Sequence, residues 1–354
     1  MQTKTQVKKI ILAEPRGFCA GVNRAIEIVN LALELHGKPL YVRHEIVHNH
    51  HVVDDFKSRG VVFIEKLDEV PNDSVLIFSA HGTAPEVIEA AKKRGLKFID
   101  AVCPLVTKVH MEIMKAIKNN KKVIYIGHRG HQEVLGAIGY ATDNLDNGTK
   151  ATYSERFNPN QLMYLIEKAE EVSLLKSAIG DVSCVVATQT TLSVDDTKNI
   201  MSELAKEFSQ VELPRSDDIC YATQNRQDAV KELAKVTDLI LIIGSKTSSN
   251  TLRLVELAKN LGKECELVPD PDKFDLASLR ANVVIARTKH SEGLSNLPTE
   301  ALVIGISSGA SAPEFLVDTL VSKLAGEDTV IEKLKFKEEK IVFPLPKELA
   351  SNNS

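Results

Sequence analysis

The sequence predicts an α/β protein built from several small open sheets of parallel strands. Short runs of valine, isoleucine and leucine alternate with amphipathic helical stretches along almost all of the 354 residues. Most of these runs are continuously apolar, which is typical of parallel strands covered on both faces. The predicted strands are Lys9–Ala13, Val61–Ile64, Val75–Ser79, Phe98–Ala101, Lys122–Ile126, Ser183–Ala187, Leu239–Ile243, Asn282–Ala286 and Ala301–Ile306.

Helices are predicted between these strands from apolar side chains that recur every three or four residues. Gly21–Leu35 and Val106–Asn119 both show this spacing. A third helix is predicted to begin with Thr83 as its cap and Pro85 in its first turn, and to end before Gly95. Strands and helices in this alternation require crossover connections, as in other α/β folds.

Composition narrows the function classes. Lys and Arg total 44 against 48 Asp and Glu, so no basic excess suggests a nucleic-acid partner. We find no leader-like segment and no apolar run long enough for a membrane span, so a cytoplasmic protein is expected. The five cysteines are odd in number and widely scattered, which is unlike a disulfide framework.

Three of the cysteines share one kind of position. Cys19, Cys103 and Cys220 each lie where a predicted strand gives way to a helix. A helix N-terminus favours the thiolate form that a metal needs, so three such thiolates could bind a metal centre and leave one position for a substrate. Buried structural thiols are the alternative reading of these positions. Cys184 and Cys265 lie within strand-like stretches and are expected to fill the core.

The strand–cysteine–helix arrangement occurs three times, and we divide the chain accordingly. The predicted units are 17–101, 102–218, and 1–16 together with 219–325. Residues 326–354 are mostly polar and are expected to form a tail packed on the body.

Polar side chains follow most of the predicted strands, at the edge where ligands of open parallel sheets collect. They occur in the segments Ala80–Gly82, Gly127–Glu133, Thr188–Thr191, Gly244–Asn250 and Ser307–Pro313. Hydroxyl and amide groups at helix starts suit a phosphate or diphosphate, and the carboxylate of Glu133 is placed to handle a proton. Taken singly, each of these residues could instead be an ordinary helix cap.

Together the motifs closely resemble the 4-hydroxy-3-methylbut-2-enyl diphosphate reductase family over residues 9 to about 347. The matching segments are Arg16–Val22, Val42–Asn49, Ser79–Gly82, Cys103–His110, Gly127–Val134, Thr188–Ser193, Asp218–Thr223, Ser248–Asn250 and Gly309–Pro313.

The resemblance implies three α/β units around a central cavity that holds a cluster and the substrate. It implies one [4Fe–4S] cluster per chain on Cys19, Cys103 and Cys220, with the fourth iron open. It further implies two-electron removal of an allylic hydroxyl, giving isopentenyl and dimethylallyl diphosphates. Glu133, Thr190 and His131 are the implied catalytic residues. The implied substrate-binding residues are His48, His81, His131, Thr190, Thr191, Ser248, Ser249, Asn250 and Ser311.

We find no glycine-rich nucleotide fingerprint, so ferredoxin or flavodoxin is the implied electron donor. Two other functions remain open from the residues. One is another three-cysteine iron–sulfur enzyme of three α/β units, of the quinolinate synthase type. The other is a non-enzymatic zinc protein that senses a phosphorylated ligand.

Overall fold

The computed structural model describes residues 6–141, 157–214, 218–275 and 301–350. Every strand pairing in these ranges is parallel, and the strands form three small sheets connected through helices. The predicted fold class is therefore confirmed. Residue contacts group the chain into two compact units, which are described separately below.

The first unit comprises residues 1–19, 48–50 and 221–341. Its five-stranded sheet has the order β11-β10-β12-β1-β13. The strands are β1 (Gln6–Glu14), β10 (Leu239–Ile243), β11 (Glu264–Val268), β12 (Ala301–Ser308) and β13 (Val330–Lys335), and the helices are α8 (Tyr221–Val236), α9 (Ser249–Asn260) and α10 (Glu314–Leu324). Ile10 and Leu12 of β1 pack in one apolar cluster, whereas Ile11 and Ala13 pack in another. Both faces of this strand are therefore buried, as its continuous apolar sequence predicts.

The second unit comprises residues 20–47, 51–220 and 342–354 and contains two four-stranded sheets. The sheet β3-β2-β4-β5 is formed by β2 (Leu40–Arg43), β3 (Val61–Ile64), β4 (Val75–Phe78) and β5 (Lys97–Asp100). The sheet β7-β6-β8-β9 is formed by β6 (Lys122–Ile126), β7 (Met163–Ile166), β8 (Cys184–Thr188) and β9 (Val211–Glu212). The helices are α1 (Ala20–His36), α2 (His50–Ser58, which starts in the first unit), α3 (Pro85–Lys93), α4 (Pro104–Lys118), α5 (Gln132–Ala141), α6 (Glu171–Ile179), α7 (Val194–Glu207) and α11 (Lys347–Ala350).

One strand order recurs in all three sheets. Each contains a strand flanked by the next strand in sequence on one side and by the one after that on the other: β2 between β3 and β4, β6 between β7 and β8, and β10 between β11 and β12. The chain therefore crosses over in opposite directions from β2, β6 and β10. Such a reversal opens a crevice at the carboxyl ends of the two strands concerned, which is where open α/β sheets bind ligands.

The predicted strands agree with the structure to within a few residues, and Val61–Ile64, Lys122–Ile126 and Leu239–Ile243 agree at both ends. The predicted strand Asn282–Ala286 lies outside the described residues. The division into three units and a tail stays a prediction, since contacts group two of the sheets together.

Four strands are not among the sequence predictions, namely β2, β7, β9 and β13. In β13 the side chains are mostly exposed, and the strand pairs with β1 along one edge only. Its charged sequence lacks the apolar run by which buried strands are recognised, because pairing at a sheet edge depends on backbone groups. β2 and β7 are mostly apolar, but runs of four residues give only a weak strand signal, although β3 of the same length was predicted.

Gly139 provides a test of the packing between α5 and α3. An added Cβ at Gly139 would lie 2.3 Å from the Cβ of Ala84, the residue before α3. We expect Gly139→Ala to lower the midpoint of thermal unfolding, because overpacking costs about 1–3 kcal/mol. Gly136→Ala on the same helix is the control, since its new Cβ would meet neighbouring atoms only at 3.4 Å or more. That variant should be neutral or gain up to about 1 kcal/mol from helix propensity, and an equal loss in both variants would contradict the packing argument.

Candidate active site

Each of the three junction cysteines lies directly before the first residue of a helix. Cys19 precedes α1, Cys103 precedes α4 and Cys220 precedes α8. In each case the strand that leads to the cysteine (β1, β5 or β9) lies beside another strand of its sheet (β12, β4 or β8). The three cysteines thus occupy corresponding places in the three sheets.

The same hydrogen bond fixes the backbone of all three cysteines. The cysteine N–H donates to the carbonyl oxygen of the residue two positions beyond the end of the neighbouring strand. The acceptors are Ala310 for Cys19 (3.2 Å), Ala80 for Cys103 (3.0 Å) and Thr190 for Cys220 (3.1 Å). Only the backbone takes part in this bond, so the bond itself does not engage the thiol.

The donor set fits a metal centre with soft ligands. All five cysteines lie in the described ranges and none forms a disulfide there, and only the three junction cysteines are partly exposed. Cys184 and Cys265 are buried in β8 and β11, which confirms their prediction as core residues. Burial raises the pKa of Cys184 to about 11 and that of Cys265 to about 12, which disfavours the thiolate that binds metal. Thiolates from the junction cysteines are the ligands that iron–sulfur clusters prefer.

Glu133 is a buried carboxylate in the first turn of α5, with 4% of its surface exposed. One of its oxygens accepts the backbone N–H of Thr190 at 2.8 Å, and the other accepts the Thr190 hydroxyl at 3.0 Å. Thr190 follows β8, so this pair joins the carboxyl ends of β6 and β8 at their crevice. The predicted catalytic pair is therefore in direct contact.

Two histidines lie in the same unit near this pair. His131 precedes α5, and its Nδ1 accepts the backbone N–H of Glu133 at 3.2 Å. A neutral His131 ring in this orientation carries its proton on Nε2. The rings of His131 and His81 meet edge to face with 6.2 Å between centroids, and His81 Nδ1 lies 3.3 Å from Ser79 Oγ. The structure thus brings together His81, His131, Glu133 and Thr190, as expected for one site.

Thr191 is held by a neighbouring amide. Gln189 Nε2 donates to Thr191 Oγ1 at 2.9 Å, while Gln189 Oε1 accepts the backbone N–H of His128 at 3.0 Å. Gln189 thereby ties the loop after β6 to the loop after β8. Gln189 is not among the predicted site residues, although it lies within the motif Thr188–Ser193.

The remaining predicted residues lie in the first unit, around the carboxyl ends of β10 and β12. Ser248 caps α9 by accepting the N–H of Thr251 at 3.3 Å. Ser311 Oγ donates to the carbonyl oxygen of His48 at 3.0 Å and lies 3.4 Å from Ser248 Oγ. Ser249 is the first residue of α9. The structure therefore gathers His48, Ser248 and Ser311 as neighbours.

Asn250 has a second task besides any ligand contact. Its Oδ1 accepts the N–H of Ala310 at 2.8 Å, and its Nδ2 donates to Thr223 Oγ1 at 3.2 Å. The Asn250 side chain is 3% exposed, so it anchors the loop after β12 and the start of α8. Thr223 is not among the predicted site residues, although it is the last residue of the motif Asp218–Thr223.

Glu133 and Asn250 occupy equivalent positions. Each is the second residue of a helix that follows the crossover strand, and each accepts the N–H of the residue two beyond the neighbouring strand, at 2.8 Å. The difference between them is chemical, since a carboxyl group can deliver a proton and an amide cannot. The anchoring task is common to both sheets, whereas the acid is present in one.

The chain resembles known proteins over nearly its whole length. The family model described as LytB protein matches residues 10–325. A 4-hydroxy-3-methylbut-2-enyl diphosphate reductase of Actinobacillus pleuropneumoniae serotype 7 is 47% identical over 341 residues, covering 96% of this chain and 98% of that protein. A reductase of the same name from Haemophilus influenzae is 46% identical over 343 residues, with the same coverage of both chains. These matches confirm the family expected from the motifs.

Solved structures agree with the sequence matches. The E-1-hydroxy-2-methyl-but-2-enyl-4-diphosphate reductase of Plasmodium falciparum has a TM-score of 0.83 and 33% identity, and covers 98% of each chain. A structure described as the terminal enzyme of the non-mevalonate pathway has a TM-score of 0.59 and 29% identity, and covers 90% of this chain and 99% of that one.

Among the described residues, no helix is both long and apolar enough to cross a membrane.

Proposed function

Because the chain belongs to the LytB protein family, we propose that it reduces 4-hydroxy-3-methylbut-2-enyl diphosphate to isopentenyl and dimethylallyl diphosphates. The named relatives are reductases of this substrate and align over 96% of the chain. The observation that carries the proposal is the buried Glu133 carboxyl, fixed by Thr190 and adjoined by His131 at a crevice between parallel strands.

The cofactor that we propose is one [4Fe–4S] cluster per chain, ligated by Cys19, Cys103 and Cys220. Their partial exposure, the absence of disulfides among them and their matching places before α1, α4 and α8 support this assignment. When bound, such a cluster supplies single electrons and, at the iron without a cysteine ligand, a Lewis acid.

The reaction breaks one C–O bond and consumes two electrons and two protons, so that the hydroxyl leaves as water. We assign Glu133 to proton delivery to the leaving oxygen. Thr190 holds both Glu133 oxygens through its N–H and hydroxyl, which leaves the carboxyl little rotational freedom. His131 fixes the start of α5 by accepting the Glu133 N–H at Nδ1, and we assign its Nε2 to the substrate. The allyl group is protonated at either end, which accounts for two products.

The diphosphate is proposed to bind donors that follow the crossover strands and their neighbours. In the first unit these are His48 and the hydroxyl and amide groups at the start of α9, with Ser311. In the second unit His81 is assigned to the diphosphate, and His131, Thr190 and Thr191 are assigned to the rest of the substrate beside Glu133. Backbone N–H groups at a helix start add further donors for an anion.

Replacement of Asn250 tests the diphosphate assignment. We expect Asn250→Ala to weaken binding of both substrate and inorganic diphosphate by tenfold or more, since a hydrogen bond to a charged group contributes about 1.5–3 kcal/mol. Thr223→Val is the matched control, because it removes the bonding partner of Asn250 Nδ2 and keeps the amide. Calorimetric titration of both variants measures the effect. Equal affinity in Asn250→Ala and the wild type would place the diphosphate elsewhere.

Ferredoxin or flavodoxin is the electron donor that we propose, since the reaction needs single electrons from outside the chain. The cytoplasm is the proposed compartment, because none of the five cysteines forms a disulfide, as is usual for proteins in a reducing environment.

Anaerobic turnover with a reduced one-electron donor tests the whole proposal. The reconstituted protein should be brown and should form both isoprenoid diphosphates from the alcohol substrate. A colourless protein that binds zinc and the diphosphate without turnover would support the sensor alternative, because zinc has a filled d shell. A brown protein that leaves this substrate unchanged would favour another reaction of the iron–sulfur class.

A further inference from the structure

A buried guanidinium holds the loop that precedes Cys19. The Arg226 side chain lies on α8 and is fully buried. Its Nε and Nη2 donate to the carbonyl oxygen of Gly17 at 3.2 and 2.8 Å, and its Nη1 donates to the Ala222 carbonyl oxygen at 2.9 Å. The charge is balanced by Glu339, whose Oε1 lies 3.1 Å from Nη1. Gly17 is two residues before Cys19, and its φ of +66° needs glycine.

A second arginine holds the loop that precedes Cys103. Arg24 lies in the second turn of α1. Its Nη1 donates to the carbonyl oxygen of Val102 at 3.0 Å, and its Nε donates to the carbonyl oxygen of Pro344 at 2.7 Å. Val102 is the residue directly before the cysteine. Arg24 thus fixes the last peptide group of this loop.

A lysine stands in the corresponding place for Cys220. Lys108 lies in the second turn of α4, and its Nζ is 3.5 Å from Oδ1 of Asp218, two residues before the cysteine. The other oxygen of Asp218 accepts the N–H of Thr188 at 3.2 Å, at the end of β8. This ion pair is longer than the two arginine contacts.

The three contacts form a cycle through the sequence. The helix after Cys19 carries Arg24, which holds the loop before Cys103. The helix after Cys103 carries Lys108, which holds the loop before Cys220. The helix after Cys220 carries Arg226, which holds the loop before Cys19. Each basic residue stands five or six positions beyond one cysteine and serves the next.

We infer that Arg24, Lys108 and Arg226 are positioning residues that pre-arrange the three cysteine ligands, each acting on the cysteine that follows in the cycle. The inference rests on the proposed cluster. A metal centre tolerates little displacement of its ligands, so neighbouring groups that fix the ligand backbone retain it. A guanidinium suits this task in the two arginine contacts, because charge-assisted hydrogen bonds to carbonyl oxygens are stronger than neutral ones.

The cycle predicts which cysteine each replacement releases. If the basic residues merely stabilised their own helices, Arg24→Met would loosen Cys19, the cysteine before α1. If they stabilised the chain as a whole, all five cysteines would become reactive together. The cyclic arrangement instead predicts that Arg24→Met releases Cys103, Lys108→Met releases Cys220 and Arg226→Met releases Cys19.

The test is anaerobic alkylation of the reconstituted holoprotein with iodoacetamide. Mass spectrometry identifies the labelled cysteine in chains that carry a single label. Methionine keeps an unbranched side chain, somewhat shorter than that of lysine or arginine, and removes the donors. Arg59→Met and Lys115→Met are the controls. Arg59, directly after α2, makes an exposed ion pair with Asp55, and Lys115 is exposed in the last turn of α4. The buried Cys184 and Cys265 report unfolding within the same sample.

We expect the cysteine next in the cycle to be labelled about tenfold faster than in the wild type for the arginine variants, since a charged hydrogen bond is lost. A smaller increase is expected for Lys108→Met, whose ion pair is longer. The controls should match the wild type. First labelling at the cysteine of the same helix, unchanged rates in all variants, or joint labelling of Cys184 and Cys265 in Arg24→Met or Lys108→Met would each overturn the inference.

Two features keep the result interpretable. Arg226→Met removes the cation that pairs with the largely buried Glu339, so this variant is the most prone to misfold. Arg24→Met and Lys108→Met carry the test if it does not fold. A wild-type chain whose three junction cysteines gain no protection on reconstitution would refute the proposed cluster itself. Protection in the wild type with wild-type rates in the variants would refute only the positioning roles.

Discussion

Glu133→Gln is expected to lower the rate of turnover by about 10²–10⁴, since a positioned acid contributes that much to the departure of a poor leaving group. Glutamine keeps the size of the side chain and an oxygen that can accept the N–H of Thr190. Asn250 shows that an amide performs this anchoring task in the equivalent position. The fold and the iron content should therefore match the wild type, while the proton is no longer available.

Single-turnover measurements under anaerobic conditions separate this effect from weaker binding. Substrate affinity should change little, so the loss should appear in kcat. The matched control is Glu171→Gln, another buried carboxylate in the first turn of a helix, which accepts the backbone N–H groups of Glu167 and Lys168. It should keep wild-type turnover. Full activity in Glu133→Gln would show that Glu133 only anchors the loop of Thr190 and would leave His131 as the acid.

Replacing any junction cysteine with serine should abolish turnover and remove most of the iron. A serine hydroxyl is a hard donor that stays protonated at neutral pH, so it does not replace a thiolate on iron. Iron and sulfide counted per chain after anaerobic reconstitution measure the loss, and the visible spectrum gives a second readout. The expected loss of iron is of similar size for Cys19, Cys103 and Cys220, because each cysteine directly precedes a helix.

Cys184→Ser is the matched control for these variants. Cys184 is fully buried in β8, so its hydroxyl replacement should lower stability by about 1–3 kcal/mol and keep the iron content. Retention of a full cluster by Cys103→Ser would refute the ligand assignment. So would loss of the cluster in Cys184→Ser in protein that is still folded.

Most strands that pack both faces were predictable from sequence because burial of both faces leaves a continuous apolar run, although β7, buried at all of its residues, was missed. β6 and β10 illustrate this, since every residue of β10 is buried and the predicted bounds of both strands agree with the structure. β13 was not predictable, because an exposed edge strand is held by backbone pairing to β1 and carries no apolar signature. The motifs also placed Glu133 and Thr190 at strand ends, but their mutual hydrogen bonds span 57 residues of sequence.

The sequence by itself determined the fold class, the family and the position of each of the three junction cysteines at the start of a helix. These features depend on local patterns of apolar and polar residues. Only the tertiary structure decided what each polar side chain contacts. It made Asn250 an anchor of the Ala310 loop and directed Arg226 to the carbonyl oxygen of Gly17, 209 residues away. The reason is physical: a buried polar group must find a hydrogen-bonding partner, and the partner is supplied by whichever segment the sheet brings alongside it.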